Sequence, residues 1–299
     1  MSVSPAVPAT PRKGMVVLAL LLVYVVWGST FLGIRLALEA GLQPLSMVSG
    51  SRFIVAGLLL YAVLRLRRVA APTPAQWRNI AIMGFCLLFL GNGMVVLAQR
   101  QVSSGLAAVA VASVPLWMAL FTALRGGRIG GGEWLGIVLG LAGIVWLNAD
   151  SQLTAVPLAL GLLLLAPLGW SFGSVWSRGR NLPSPFMTAA GQMLCGGVVL
   201  VVAGLLAGER WTEVPPLSGL LAVTYLCLFG SVVAFSAYVW LLHNVRPVLA
   251  SSYAYVNPLI AVGLGTWLAG ERFSATEVGA MALILSGVAV ISLTRSKRA

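Results

Sequence analysis

"LASSYAYVNPL" (residues 249–259) lies 143 positions after "LAAVAVASVPL" (residues 106–116), and the two share Leu, Ala, Pro and Leu at matching places. The same offset lays Trp27 on Trp170, Arg35 on Arg178 and Gly127 on Gly270. One such match means little in an apolar chain. A single offset that serves all of them implies a duplicated unit. Both stretches also put a proline, Pro115 or Pro258, inside an apolar run of helical length.

The surroundings explain how such runs are tolerated. Of 299 residues, 59% are hydrophobic and 9% charged, and the mean hydropathy is +0.97. A soluble domain of this size needs a far more polar surface. Lipid is the solvent that fits, and ~20 apolar residues cross ~30 Å of hydrocarbon. Ten spans follow, at about 15–34, 45–64, 79–98, 105–124, 133–149, 155–176, 186–207, 217–240, 249–268 and 277–294. The fold class is all-α, a polytopic membrane protein. Residues 1–14 form a cytoplasmic tail, 15–150 a first five-span repeat, 151–294 a second, and 295–299 a basic cytoplasmic tail.

The formal charge of +12 does not mark a nucleic-acid partner, because no basic helix face or Lys/Arg patch with interleaved aromatics is present. The cations lie between spans. With the N-terminus inside, fourteen Lys and Arg are cytoplasmic, while Arg35, Arg100, Arg210 and Arg272 are outside. That bias places both termini in the cytoplasm. Cys86, Cys195 and Cys227 have unrelated spacings and form no metal or disulfide pattern. No cofactor is expected, and no Walker-type glycine loop is present.

Five spans per repeat is an odd number, so the halves enter the membrane in opposite senses. Inverted repeats are a recurrent plan for secondary transporters, with substrate handled near the midplane. A proline inside a helix frees a carbonyl that must find a partner or line a wet cavity. Pro115 and Pro258 therefore point to the substrate path.

Helical spacing selects the polar residues that can share a face. Trp27 and Thr30 do so on span 1, Asn92 and Gln99 on span 3, Ser113 and Trp117 on span 4. Trp170 and Ser174 do so on span 6, and Ser231 and Tyr238 on span 8. On span 9, Tyr255 with Pro258 forms one face and Tyr253 with Asn257 another, so the four cannot all line one cavity. Tyr255 is the favoured ligand, with Asn257 a cavity or packing residue. Such a lining, aromatic and amide without charge, suits a small zwitterion with an apolar side chain or a lipophilic cation. Arg52 lies roughly 10 Å below the outer surface at ~1.5 Å per residue. A cation there should snorkel or pair with Glu271 or Glu39, as a gate or a structural ion pair. Ser274 and Glu277 fit a capping box at the start of span 10. Gly136, Gly140 and Gly143 on span 5, with Gly279 and Gly287 on span 10, suit close helix packing or dimer contacts.

The stretch "NPLIAVGLGTWLAGERFSATEVGAMALILSGV" (257–288), with Pro258, Gly270–Glu271, Gly279 and Gly287, resembles the end of EamA-type proteins of the drug/metabolite transporter superfamily. "WGSTFLGIR" (27–35) and Arg52 in "SGSRFIVAGLLL" resemble its opening. The resemblance covers nearly the whole chain. It implies an inner-membrane carrier, commonly an exporter of amino acids, other metabolites or drugs. Span 1 lacks the embedded glutamate of the related small multidrug pumps, and every lysine here is terminal, unlike the sugar-phosphate branch. With no carboxylate in a span core, proton antiport would need His243, a tyrosine or a rim acid such as Glu271. Facilitated flux stays open beside it, as do monomer and homodimer. The expected partners are a small-molecule substrate and membrane lipid. An integral-membrane enzyme has almost nothing to build a catalytic constellation from, and a passive channel lacks continuous polar stripes.

Overall fold

A computed structural model describes residues 13–126, 130–149, 157–212, 214–245 and 253–296. All ten expected spans are helical there. They are α1 (Lys13–Glu39), α2 (Pro44–Leu66), α3 (Pro74–Ala98), α4 (Ser104–Leu124) and α5 (Gly131–Ala149). The second half holds α6 (Pro157–Trp176), α7 (Pro185–Leu206), α8 (217–244), α9 (Tyr253–Ala269) and α10 (Ala275–Ser296). Among the described residues, seven helices are long and apolar enough to cross a membrane, accompanied by the shorter apolar stretches Val256–Ala269 and Ala275–Ile291. Residues 249–252 of the repeated stretch lie outside the described residues.

The helix ends follow local chemistry. Ser274 and Glu277 form the reciprocal capping box read from the sequence, with Ser274 N to Glu277 Oε2 at 2.7 Å and Glu277 N to Ser274 Oγ at 3.1 Å. Thr73 and Gln76 form another at the start of α3. Gly126 and Gly270, at φ 81° and 62°, follow α4 and α9, where the chain turns left-handed at a helix C-terminus.

The packing shows the repeat directly. Exchange each helix for the one five places on, and several neighbour pairs map onto each other. The α1–α9 contact becomes α6–α4, α1–α8 becomes α6–α3, and α2–α8 becomes α7–α3. The pairs α2–α7, α4–α9 and α5–α10 join a helix to its own counterpart. With five helices per half, the two halves are inverted. Arg35 stands at the end of α1, and its counterpart Arg178 follows α6 at the opposite end of the molecule.

The glycines of α5 and α10 are used inside the chain. A Cβ on Gly136 would stand 2.5 Å from the carbonyl of Gly287, and one on Gly143 would stand 2.8 Å from Ile284. Close approach brings the two backbones into dispersion contact, which is what small residues give in lipid.

The matched prolines act differently. Before Pro115, α4 breaks at Ser113, whose ψ is −9°. In that break the carbonyl of Val114 accepts from Ser171 of α6 at 3.0 Å. Pro258 is buried, and α9 continues through it. Among the described residues, three π-helical segments, which the sequence reading missed, open α2 (Pro44–Ser51) and interrupt α3 (Gly84–Gly93) and α8 (Leu226–Val233). Those of α3 and α8 occupy corresponding helices of the two halves.

Candidate functional site

Trp27 is the centre of an aromatic cluster where α1, α8 and α9 meet. Its ring centroid lies 5.1 Å from Tyr238 and 5.0 Å from Tyr253, the latter edge-on at 81°. Tyr238 and Tyr253 are 5.4 Å apart at 87°. Phe235 closes one side, 6.4 Å from both Trp27 and Tyr238. Edge-to-face contacts of this kind match the positive ring edge to the negative face. The indole N–H of Trp27 donates to the carbonyl of Gly230 at 3.1 Å, inside the π-helical part of α8. Asn257 is buried one turn from Tyr253; with its amide turned so that the nitrogen faces them, it donates to the carbonyls of Tyr24 (3.3 Å) and Tyr253 (3.2 Å). The Tyr253–Asn257 face is thus the one that meets Trp27 and Tyr238. The side chains of Tyr255 and His243 lie outside the described residues.

The counterpart of Trp27 sits in a different setting. Trp170 packs with Met83, Cys86 and Leu87, and a Cβ on Gly91 of α3 would come within 2.9 Å of its ring. Each tryptophan therefore lies against a glycine in the π-helical part of the opposing half. Of these two tryptophans, among the described residues only Trp27 has tyrosine ring neighbours.

Most of the hydroxyls singled out in the sequence donate to their own helix. Thr30 donates to the carbonyl of Trp27 (2.6 Å), Ser174 to Trp170 (2.7 Å), Ser231 to Leu226 (3.2 Å) and Ser113 to Ala110 (2.6 Å). Ser113 also accepts from the indole of Trp117 at 3.2 Å. These groups can still accept, but they have no free proton to offer a ligand.

Arg52 corrects an expectation. It is 4% exposed and has no carboxylate partner among the described residues. Its Nη2 donates to Asn92 Oδ1 at 2.9 Å, and its guanidinium lies 4.4 Å from the Phe53 ring centroid. Asn92 does not team with Gln99 in this arrangement. The π-helical turn adds a residue, so spacing counted at 3.6 per turn loses the register.

Arg35 takes the acids instead. It lies at the end of α1, beside the α9–α10 loop, whereas Arg52 is two turns inside α2. Its Nη1 donates to Glu271 Oε1 at 2.5 Å and its Nε to Glu39 Oε1 at 2.6 Å. Glu271 also accepts from the backbone N–H groups of Ser104 (2.7 Å) and Gly105 (3.2 Å), at the N-terminus of α4. Burial alone would raise the Glu271 carboxyl. The donors of Ser104, Arg35 and Gly105 outweigh it and hold the group below the ordinary carboxylate range. Glu209 caps α2 in the same way, through Leu45 N and Ser46 N at 2.9 and 2.7 Å. Both acids belong to the second half and bind helix starts of the first.

Between these loops lies a cavity of about 610 Å³, lined by Arg35, Glu39, Gln99, Arg100, Glu271 and Arg272 among others. Gln99 is 6% exposed, and both its amide atoms lack partners. Among the described residues no cluster of His, Cys, Asp and Glu could hold a metal ion.

The chain matches the EamA-like transporter family twice, over residues 14–149 and 157–293. It belongs to that family. The EamA-like chain is 46% identical over 276 residues to the uncharacterized inner membrane transporter YedA of Escherichia coli (strain K12), covering 92% of this chain and 90% of that one. It is 26% identical over 302 residues to a protein of Chlamydia trachomatis serovar D named S-adenosylmethionine/S-adenosylhomocysteine transporter, covering 94% of this chain and 90% of that one. A crystal structure superposes on it with a TM-score of 0.63 at 21% identity, over 94% of this chain and 97% of the other, which supports the fold. The protein is a multi-pass membrane transporter and not an enzyme.

Proposed function

We propose that this EamA-like transporter exports small amphipathic metabolites, amino acids foremost, across an inner membrane by alternating access, with both termini cytoplasmic. The observation that carries the reading is the Trp27–Tyr238–Tyr253 cluster, with Asn257 beside it, at the junction of α1, α8 and α9. Aromatic faces attract an ammonium by ~0.5–2 kcal/mol, more as water is excluded. They also bury an apolar side chain. The relative named for S-adenosylmethionine supports the class, because that molecule carries an α-amino-carboxylate.

The two-fold packing supports alternation, since halves with interchangeable neighbours can exchange conformations. On the positive-inside orientation, Arg35 and Glu271 join α1 to the start of α4 and the α9–α10 loop at the outer mouth. That link makes them the outer gate. Arg52 takes no part in it.

The lipophilic-cation reading is favoured by one feature: among the described residues of the aromatic cluster, Trp27, Phe235, Tyr238, Tyr253 and Asn257, no cationic side chain stands to receive a carboxylate. Uptake of radiolabelled amino acids into proteoliposomes, with and without an imposed pH gradient, tests both. Saturable amino-acid flux is expected. Flux of a lipophilic cation with none of amino acids would move the cargo to drug-like compounds.

A further inference from the structure

All three π-helical segments among the described residues converge on Arg52. The first ends at Ser51, immediately before it; the second supplies Asn92; the third supplies Cys227, whose Sγ lies 3.5 Å from the Arg52 carbonyl. Such segments are rare, and they occur often at functional sites. The guanidinium they surround is buried and has one neutral hydrogen bond, the face of Phe53 and an unpartnered Nε.

A buried cation without an anion is costly, and an apolar side chain of similar volume would usually serve stability better. An ionisable group at this depth is a functional residue by default. Its free capacity defines the missing partner. Asn92 takes one Nη2 hydrogen, which leaves the buried Nε–H without an acceptor, and that edge of the guanidinium matches a carboxylate oxygen.

Phe53 shares a packed cluster with Phe235, and Phe235 touches Trp27 and Tyr238. Arg52 and Phe53 therefore border a packed hydrophobic cluster that meets the Trp27–Tyr238–Tyr253 cluster through Phe235.

We infer that Arg52 is the receptor for the substrate's carboxylate, with Asn92 positioning its guanidinium. A zwitterion would place its carboxylate at Arg52 and direct its ammonium and apolar side chain toward the Trp27–Tyr238–Tyr253 cluster. The inference rests on the amino-acid reading above and adds the group that tells an amino acid from an amine.

The test uses purified full-length protein in detergent, followed by thermal unfolding. The probes are L-leucine, 4-methylpentanoate (carboxylate without ammonium) and 3-methylbutylamine (ammonium without carboxylate). Leucine and 4-methylpentanoate should each raise the wild-type Tm, by about 2–4 °C once they exceed their dissociation constants ~10-fold. The Arg52→Met variant should unfold at or above the wild-type temperature without ligand and lose the carboxylate response. Its response to the amine should not change.

Equal protection of wild type and Arg52→Met by the carboxylates overturns the inference. So does protection of wild type by neither carboxylate, or by chloride as strongly as by either. A lower Tm for Arg52→Met that Arg52→Lys restores, with carboxylate protection intact, would make Arg52 a packing residue. Leucine flux in proteoliposomes separates the two claims. Flux unchanged by Arg52→Met sinks the carboxylate site and spares the amino-acid reading. Carboxylate protection through Arg52 without amino-acid flux does the reverse.

Discussion

Arg35 and Glu271, 236 positions apart, form an ion pair in which the Glu271 side chain is only 1% exposed and that of Arg35 is 26% exposed. The asymmetry sets what each substitution does. Glu271→Gln leaves Arg35 its bond to Glu39 but weakens three charge-assisted bonds at once, and should cost about 1–3 kcal/mol. Arg35→Gln should cost less, because Glu271 keeps the N–H groups of Ser104 and Gly105. Unfolding of the two variants in detergent gives the order. A larger loss for Arg35→Gln would contradict it.

The same donors fix the pH behaviour. The Glu271 carboxyl is lowered on folding, so its contribution is fully present above the ordinary carboxylate value, ~4.3, and is lost as pH falls through the lower folded value. Between pH 6 and 8, roughly, Glu271 should neither titrate nor shift stability. Any proton dependence of flux in that window should survive Glu271→Gln. Its disappearance in the variant would make Glu271 a proton carrier.

The helices, the inverted halves and the Ser274–Glu277 cap were legible, because each rests on local chemistry or a long apolar run. The pairing of Arg52 was not. A π-helical turn leaves no mark in a 3.6-residue count, and Asn92 moved off the face that Gln99 seemed to share. Arg35 was overlooked as a candidate because it reads as a topological charge, although Glu39 four residues on already announced an ion pair. Tyr253 was one of two possible faces of α9, and only the packing against Trp27 selects it. The role of Tyr255 stays an expectation, its side chain lying outside the described residues.

Gly287→Ala should destabilise by about 1–3 kcal/mol, because the new methyl would meet backbone atoms of Gly136 and Gly140 at 2.5–2.9 Å, and backbone yields little. Substrate affinity should not change, since α5 and α10 lie away from the aromatic cluster. A Tm equal to wild type would contradict the packing; a changed KM would place α10 in the pathway.

Gln99 bears the opposite sign. Its two buried amide atoms are unpartnered, so Gln99→Leu should leave stability unchanged or raise it by about 1–2 kcal/mol. If the outer cavity is the exit, the same variant should slow export. A more stable protein with unaltered flux would remove Gln99 from the transport path.

Trp27→Phe keeps a ring against Tyr238 and Tyr253 but drops the bond to Gly230, and should raise KM about 2- to 10-fold, consistent with a lost hydrogen bond of ~0.5–1.5 kcal/mol. Trp27→Ala should cost more. Trp170→Phe, without tyrosine neighbours, should affect KM less. Equal effects at both tryptophans would argue against a cargo site centred on Trp27.

Counterflow tests the central claim most directly. Proteoliposomes preloaded with unlabelled amino acid are diluted into a trace of the labelled one, and internal label is followed over time. A carrier with alternating access should accumulate label transiently above its equilibrium level, and the overshoot should shrink in Trp27→Ala. Label that only rises to equilibrium would indicate a channel, and no entry of label would remove amino acids from its cargo.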